Sequence, residues 1–238
     1  MNDSAHRSNP ASRPEADGAL AGTVLLATTN PGKVREIRLI LHDVPVRLLT
    51  LADLPPIEEP EETGATFEEN ALLKARYYAA WSGLTTVAED SGLAIDALGG
   101  RPGIHSARYP GETYAEKFAN LYAELAPHPR PWTARFVCAL ALVEPADGVR
   151  PPAPGVRGAD GDVLFTARAT VEGEITTAPR GTNGFGYDPI FHYPPYGGTL
   201  AEQDHARKLA VAHRGKAFRM LREWWAQSGF QGPKAPGA

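Results

Sequence analysis

The sequence predicts an α/β fold built on a mixed β-sheet, and two observations carry that expectation. Short β-prone apolar runs at 23–27, 85–88, 135–143 and 163–171 alternate with segments whose apolar residues recur at helical spacing. Clusters of Gly, Pro, Asn and Asp separate the two kinds of segment and supply the turns.

Taken in order, 23–27 reads as a strand, followed by the polar turn Thr28-Thr29-Asn30-Pro31-Gly32-Lys33 and by Val34, Ile37 and Leu41 on one helical stripe. A second helix is expected from Thr66 to about Gly83, with Thr66 as cap and Glu69 reaching back to close a capping box. The strand at 85–88 is expected to end at Glu89-Asp90-Ser91-Gly92. Loop is expected from there to Gly103, with one apolar excursion at 93–98. A third helix starts at Thr113 and carries Tyr114, Phe118, Leu121 and Leu125 on one face. The strands at 135–143 and 163–171 are separated by 144–162, rich in Pro, Gly and Asp without periodicity, which is expected to be an exposed insertion. A glycine-rich cluster at 181–189 leads into Ile190-Phe191, and helices at 201–209 and 215–227 close the chain, with His213-Arg214 at their joint.

Composition narrows the function. Among 238 residues, 42% are hydrophobic, enough for one sizeable core or two small lobes sharing a cleft. A single domain is expected over 22–228; the polar, Pro-containing stretch 1–21 is expected to be a disordered extension and 229–238 a short tail. Twenty-four basic against 28 acidic residues leave a net charge of -4, which argues against a nucleic-acid partner and requires any phosphate to be met locally. No apolar stretch reaches the roughly 20 residues of a membrane span, and no signal-peptide core is present, so a cytoplasmic location is expected. The single cysteine, Cys138, lies in an apolar run and reads as a core residue. The seven histidines lack the pairing of zinc sites, so any metal should be a hard, oxygen-bound ion.

Four segments could carry chemistry. Thr28, Asn30 and Lys33 sit between strand and helix, where free N–H groups and the helix dipole favour an anion; the same residues serve equally as an ordinary helix cap. Glu89 and Asp90 place adjacent carboxylates at a strand end, suited to Mg²⁺ or to a plain solvated turn. Phe185-Gly186-Tyr187-Asp188 offers aromatic faces for a base, glycine for close approach and an acid, and reads equally as a packed hairpin turn. Lys208 and the His213-Arg214 pair supply late donors suited to phosphate and to a carbonyl oxygen.

These segments together resemble the inosine triphosphate pyrophosphatase family. The carriers are Thr28 to Lys33, Glu61-Glu62-Thr63-Gly64 with Phe67-Glu68-Glu69-Asn70-Ala71, Glu89-Asp90-Ser91-Gly92-Leu93, Leu98-Gly99-Gly100-Arg101-Pro102-Gly103, Gly184 to Pro189 and His213-Arg214-Gly215. The resemblance implies an elongated, two-lobed fold around a long twisted mixed sheet, with the nucleotide in the cleft between lobes and a homodimer as the assembly. It implies Mg²⁺-dependent cleavage of ITP, dITP and XTP to the monophosphate and pyrophosphate, with Asp90 as proton acceptor and metal ligand. Glu62 resembles the second metal ligand, with Glu89 as a further carboxylate. By the same likeness Thr28, Thr29, Asn30, Pro31, Gly32, Lys33 and Lys208 would hold the phosphates. Ser91 would touch the substrate, Phe185, Gly186, Tyr187 and Asp188 would frame the base, and His213 and Arg214 would read the purine six-position. Three positions depart from the family pattern: Ala212 for Ser, Glu89 for Asp, and Asn183 where a second glycine is frequent. A Maf-type pyrophosphatase of different base specificity is the alternative within enzymes, opposed by His213-Arg214. A non-catalytic nucleotide sensor is the alternative outside them, opposed by Asp90, Lys33 and Lys208 all being present.

Overall fold

A computed structural model describes residues 22–146 and 161–230. The expectations for 1–21, for 147–160 and for 231–238 lie outside the described residues. A seven-stranded mixed sheet in the order β2-β1-β3-β4-β5-β6-β7 organises the chain, as the alternation of elements predicts. Its strands are β1 (Thr23–Leu26), β2 (Arg47–Thr50), β3 (Thr85–Ile95), β4 (Thr133–Glu144), β5 (Asp162–Ile175), β6 (Phe191–Tyr193) and β7 (Gly198–Thr199). β1 pairs in parallel with β2 and β3, and the remaining neighbours are antiparallel. The helices are α1 (Pro31–Ile40), α2 (Phe67–Ser82), α3 (Tyr114–Leu125), α4 (His205–Val211) and α5 (His213–Ser228).

Three long strands, β3, β4 and β5, run from one hydrophobic core to another. At one end α1 and α5 cover one face of the sheet through Ile37, Phe218, Leu221 and Trp225, while α2 covers the other through Ala75, Tyr77 and Tyr78. At the far end Leu93, Ile95, Phe136, Val171 and Phe191 pack with Phe118, Leu121 and Leu125 of α3. Each fully buried side chain of this size contributes about 1.5–3 kcal/mol. A strand carries successive side chains to opposite faces, so the sheet itself sorts neighbouring residues between the two helical layers.

Several expectations are corrected. β3 does not end at Glu89 but continues to Ile95, because its two carboxylates are matched by cations from the helices and the ladder to β4 runs unbroken from Thr86 to Ile95. The expected loop up to Gly103 therefore holds strand and a 3₁₀ turn (Asp96–Leu98). β2, a four-residue edge strand with only a short apolar core, was not expected. The helix placed at 201–209 begins only at His205, where the Asp204 carboxylate accepts from Arg207 N; 200–202 is a 3₁₀ turn. His213 and Arg214 are the first residues of α5 rather than a joint before it. Thr66 caps α2 as expected, but the Glu69 carboxylate accepts from Ala65 N at 2.6 Å rather than from the cap residue. Glu144 and Asp162, placed in the insertion, face each other as the last pair of the β4–β5 ladder. At the other margin Phe230 packs against Trp224 and Trp225, so the body extends slightly into the expected tail.

Candidate active site

The turn after β1 is built around Asn30, whose Oδ1 accepts from Gly32 N at 2.9 Å and Lys33 N at 3.2 Å. Pro31 opens α1, where its missing N–H costs nothing. Thr28 Oγ1 accepts from Asn30 N, and Thr29 Oγ1 donates to Glu59 Oε1. This capped turn aims Lys33 at β3, where its Nζ meets Glu89 Oε1 at 2.7 Å. Gly32 permits a close approach: a methyl group there would stand 2.9 Å from Cδ1 of the Phe185 ring.

Glu89 and Asp90 point to opposite sides of the sheet. On the α1/α5 side the Glu89 side chain is fully buried, facing Lys33 Nζ, Arg214 Nη2 at 3.4 Å and the Cys138 thiol. Burial alone would raise its pKa, but the Arg214 and Lys33 charges hold it well below the usual glutamate value. Arg214 also donates to Glu36 Oε2 at 2.8 Å and to Ser91 Oγ at 3.0 Å. Glu36 in turn pairs with Lys208 Nζ at 2.9 Å, and Lys208 pairs with Asp188. A continuous chain of alternating charge thus runs Asp188, Lys208, Glu36, Arg214, Glu89, Lys33.

Above this chain lies the Phe185 ring, with Lys208 Nζ at 4.6 Å and the Arg214 guanidinium carbon at 5.4 Å from its centroid. His213 stacks on Phe136 at 4.8 Å and is buried. Burial and the Arg214 charge push its pKa well below the usual histidine value, so it is neutral, and its buried Nδ1 has no hydrogen-bond partner. An unpartnered buried nitrogen costs about 1–3 kcal/mol, a cost that a bound group with the complementary atom would recover.

On the α2 side Asp90 accepts from Asn70 Nδ2 at 3.3 Å and pairs with Lys74 Nζ at 3.3 Å, and the same Nζ lies 2.6 Å from Glu62 Oε1. Glu62 Oε2 takes a second cation, Arg108 Nη1, at 2.8 Å. Burial pushes the Asp90 pKa up, and the neighbouring Glu62 and Glu89 charges add to the effect in spite of Lys74. Glu62 is shifted the other way: burial would raise it, but Lys74 and Arg108 hold it low. Two carboxylates of unequal basicity therefore converge on one cation, the more basic of them on the central strand.

Of the residues singled out in the sequence, Lys33, Ser91, Phe185, Lys208 and Arg214 are linked on the α1/α5 side of β3, with Thr28 to Gly32 in the turn before Lys33 and His213 beside Arg214, while Asp90 and Glu62 meet at Lys74 on the α2 side. Other candidates stand differently. Tyr187 turns inward, with its hydroxyl on Ser106 O at 2.8 Å and its ring edge-on to Tyr114. Asp188 is buried, accepts from Phe185 N and anchors Lys208, so it shapes the Phe185 loop from beneath. Glu89 does not join Asp90 and Glu62, and among the described residues no three His, Cys, Asp or Glu side chains form a ready cage for a metal. Sequence reasoning missed Lys74 and Glu36. Both carry a signal: Phe67, Asn70, Ala71, Lys74 and Ala75 form one helical stripe, as do Lys33, Glu36, Ile37 and Ile40. A charge on an otherwise buried stripe needs an internal partner.

A family model described as the Ham1 family matches residues 24–224. A dITP/XTP pyrophosphatase of Geobacter sulfurreducens is 43% identical over 211 residues, covering 87% of this chain and 98% of that protein. One from Thermus thermophilus is 46% identical over 203 residues, covering 84% and 90% respectively. Among solved structures, a HAM1 protein from Coxiella burnetii superposes with a TM-score of 0.72 at 38% identity, covering 86% of this chain and 98% of its own. A nucleoside-triphosphatase/dITP/XTP pyrophosphatase from Mycobacterium abscessus gives 0.65 at 40% identity, covering 84% and 98%.

Proposed function

Because this chain belongs to the Ham1 family, we propose that it is a nucleoside triphosphate pyrophosphatase hydrolysing dITP, ITP and XTP to the monophosphate and pyrophosphate, clearing them from the pool that feeds DNA and RNA. The observation that carries this is the division of labour across β3. A basic carboxylate, Asp90, converges with Glu62 on Lys74, while Phe185, His213 and Arg214 form an aromatic and donor-rich slot at the other end of the same site.

In this mechanism Asp90, with its raised pKa, orients a water and accepts its proton during attack on the α-phosphorus, releasing pyrophosphate. Asp90 Oδ1 and Glu62 Oε1 already share one cation, Lys74 Nζ, so these two carboxylates would be the ones to hold a hard divalent ion such as Mg²⁺. When bound, that ion would offset charge on the phosphates and lower the pKa of a coordinated water. Glu89 takes no part in this pair and instead holds Lys33 and Arg214 in place. Lys33, Lys74 and Lys208 neutralise the phosphates by position rather than by covalent chemistry. Arg214, a donor only, matches the six-position oxygen of hypoxanthine or xanthine and opposes the amino group of adenine. The homodimer and the cytoplasmic location implied by the resemblance belong to the same proposal. Among the described residues no helix is long and apolar enough to cross a membrane.

The test is incubation of the full chain and Mg²⁺ with ITP, XTP, GTP, ATP or dTTP, quantifying monophosphate, diphosphate, pyrophosphate and orthophosphate, with Asp90→Asn alongside. Conversion of ITP and XTP to monophosphate plus pyrophosphate, abolished in Asp90→Asn, is expected. Orthophosphate with diphosphate would overturn attack at the α-phosphorus.

A further inference from the structure

We infer that Arg108, a residue outside every recognised motif block, is the clamp for the departing pyrophosphate; the inference rests on the function proposed above. It follows from the order in which the site residues touch one another. From the Phe185 ring, contacts pass to Lys208 and Arg214, to Glu89 and Lys33, then across one peptide unit to Asp90, and on through Lys74 and Glu62 to Arg108. A nucleotide with its base against Phe185 and its α-phosphorus at Asp90 has its β- and γ-phosphates directed toward Glu62 and Arg108.

Charge points the same way. Along this path four cations, Lys33, Lys74, Lys208 and Arg214, face five carboxylates, Glu36, Glu62, Glu89, Asp90 and Asp188. Without Arg108 the site is net negative before a polyanion enters it. Lys74 is nearly enclosed, whereas the Arg108 side chain is 55% exposed and Glu62 is the one partner its five donors have among the described residues. The remaining edge of its planar fork is free to take a phosphate in the bidentate manner that a lysine cannot reproduce.

The backbone beneath Arg108 is held firmly. It ends the 3₁₀ segment Gly103–Arg108, in which Ser106 Oγ accepts from Leu93 N at 2.8 Å and donates to Gly103 O at 2.6 Å. Ser106 O accepts from the Tyr187 hydroxyl, and a methyl at Gly92 would overlap the Gly103 carbonyl. This segment is thereby fastened both to the strand bearing Asp90 and to the loop bearing Phe185, which fixes the distance between Arg108 and the reacting centre.

The experiment compares wild type, Arg108→Ala and Arg108→Lys as full chains in Mg²⁺, by ITP turnover and by calorimetric binding of pyrophosphate and of IMP. Arg108→Ala is expected to weaken pyrophosphate binding on the order of tenfold to a hundredfold, the loss of a charge-assisted hydrogen bond, and to raise KM for ITP. IMP affinity should be unchanged and Arg108→Lys should recover only part of the loss. Pyrophosphate affinity equal to wild type in Arg108→Ala, or an equal loss for IMP, would overturn the assignment. A wild-type chain that turns over ITP beside an unaffected Arg108→Ala would overturn the clamp alone. A wild-type chain inert toward every nucleotide would overturn the proposed function and the clamp with it.

Discussion

Replacing Glu89 by Gln removes one charge from the centre of the buried chain while keeping its volume, and the consequence can be worked out. Glu89 faces Lys33 and Arg214 with no exposure of its own side chain. Breaking a buried ion pair by removing one partner costs about 3–5 kcal/mol, because a charge is left uncompensated. The lower end applies here, since Arg214 keeps Glu36 at 2.8 Å and Lys33, one-fifth exposed, can turn toward water. A loss of about 3 kcal/mol corresponds to a fall in Tm of about 6–12 °C for a domain of this size. Calorimetry at pH 7.5 measures it. The pH dependence supplies a second arm: the folded-state pKa of Glu89 lies below the unfolded value near 4.5, so its stabilisation is fully present above that pH and declines as pH falls toward the folded value. The gap between wild type and Glu89→Gln should therefore narrow below pH 4.5. A shift under about 1 kcal/mol, or a gap indifferent to pH, would refute the view that this carboxylate is a buried counter-ion.

Three further outcomes follow from the same contacts. His213 is neutral when folded and protonates in the unfolded chain below 6.5, so stability should decline as pH drops from 6.5, by up to about 1.4 kcal/mol per pH unit; Tm against pH should be flatter in His213→Gln. Gly32→Ala would drive a methyl into the Phe185 ring, so KM for ITP should rise several-fold while Tm stays within a few degrees, and a variant with unaltered KM would show that the ring is not part of the slot. Ala212 caps α5 without any side-chain hydrogen bond, in extended geometry suited to a capping hydroxyl; Ala212→Ser, which restores the family pattern, should add about 0.5–1 kcal/mol in denaturant titration.

What the sequence made legible is what local chemistry determines. The turn at Asn30-Pro31, the Thr66 cap and the apolar stripe of α3 each depend on residues a few positions apart, and all three appear where expected. The charged middle of β3 was illegible for the opposite reason. Glu89 and Asp90 look like a strand end until Lys33, Lys74 and Arg214 are seen to reach them, the last from 125 residues away. The stripes of α1 and α2 mark Glu36 and Lys74 as charges needing internal partners, but only the fold says which partners those are: Arg214 and Lys208 for the one, Asp90 and Glu62 for the other. At Phe185-Gly186-Tyr187-Asp188 the sequence shows two aromatics but not the direction of either ring; the Ser106 carbonyl turns Tyr187 inward. β2 is too short to show a period, and it is a strand because β1 offers an edge.

The pleat of β3 has one more implication. The counter-ion Glu89 and the carboxylate proposed to activate water, Asp90, are adjacent residues of one strand, and that strand is locked to its neighbour over ten consecutive positions, Thr86 to Ile95. A single inserted or deleted residue upstream of Glu89 within the ladder would not weaken the site gradually; it would exchange its two halves, sending the counter-ion into the hydrolytic side and the base into the recognition side. The enzyme's tolerance for length variation should therefore fall to nothing along this stretch.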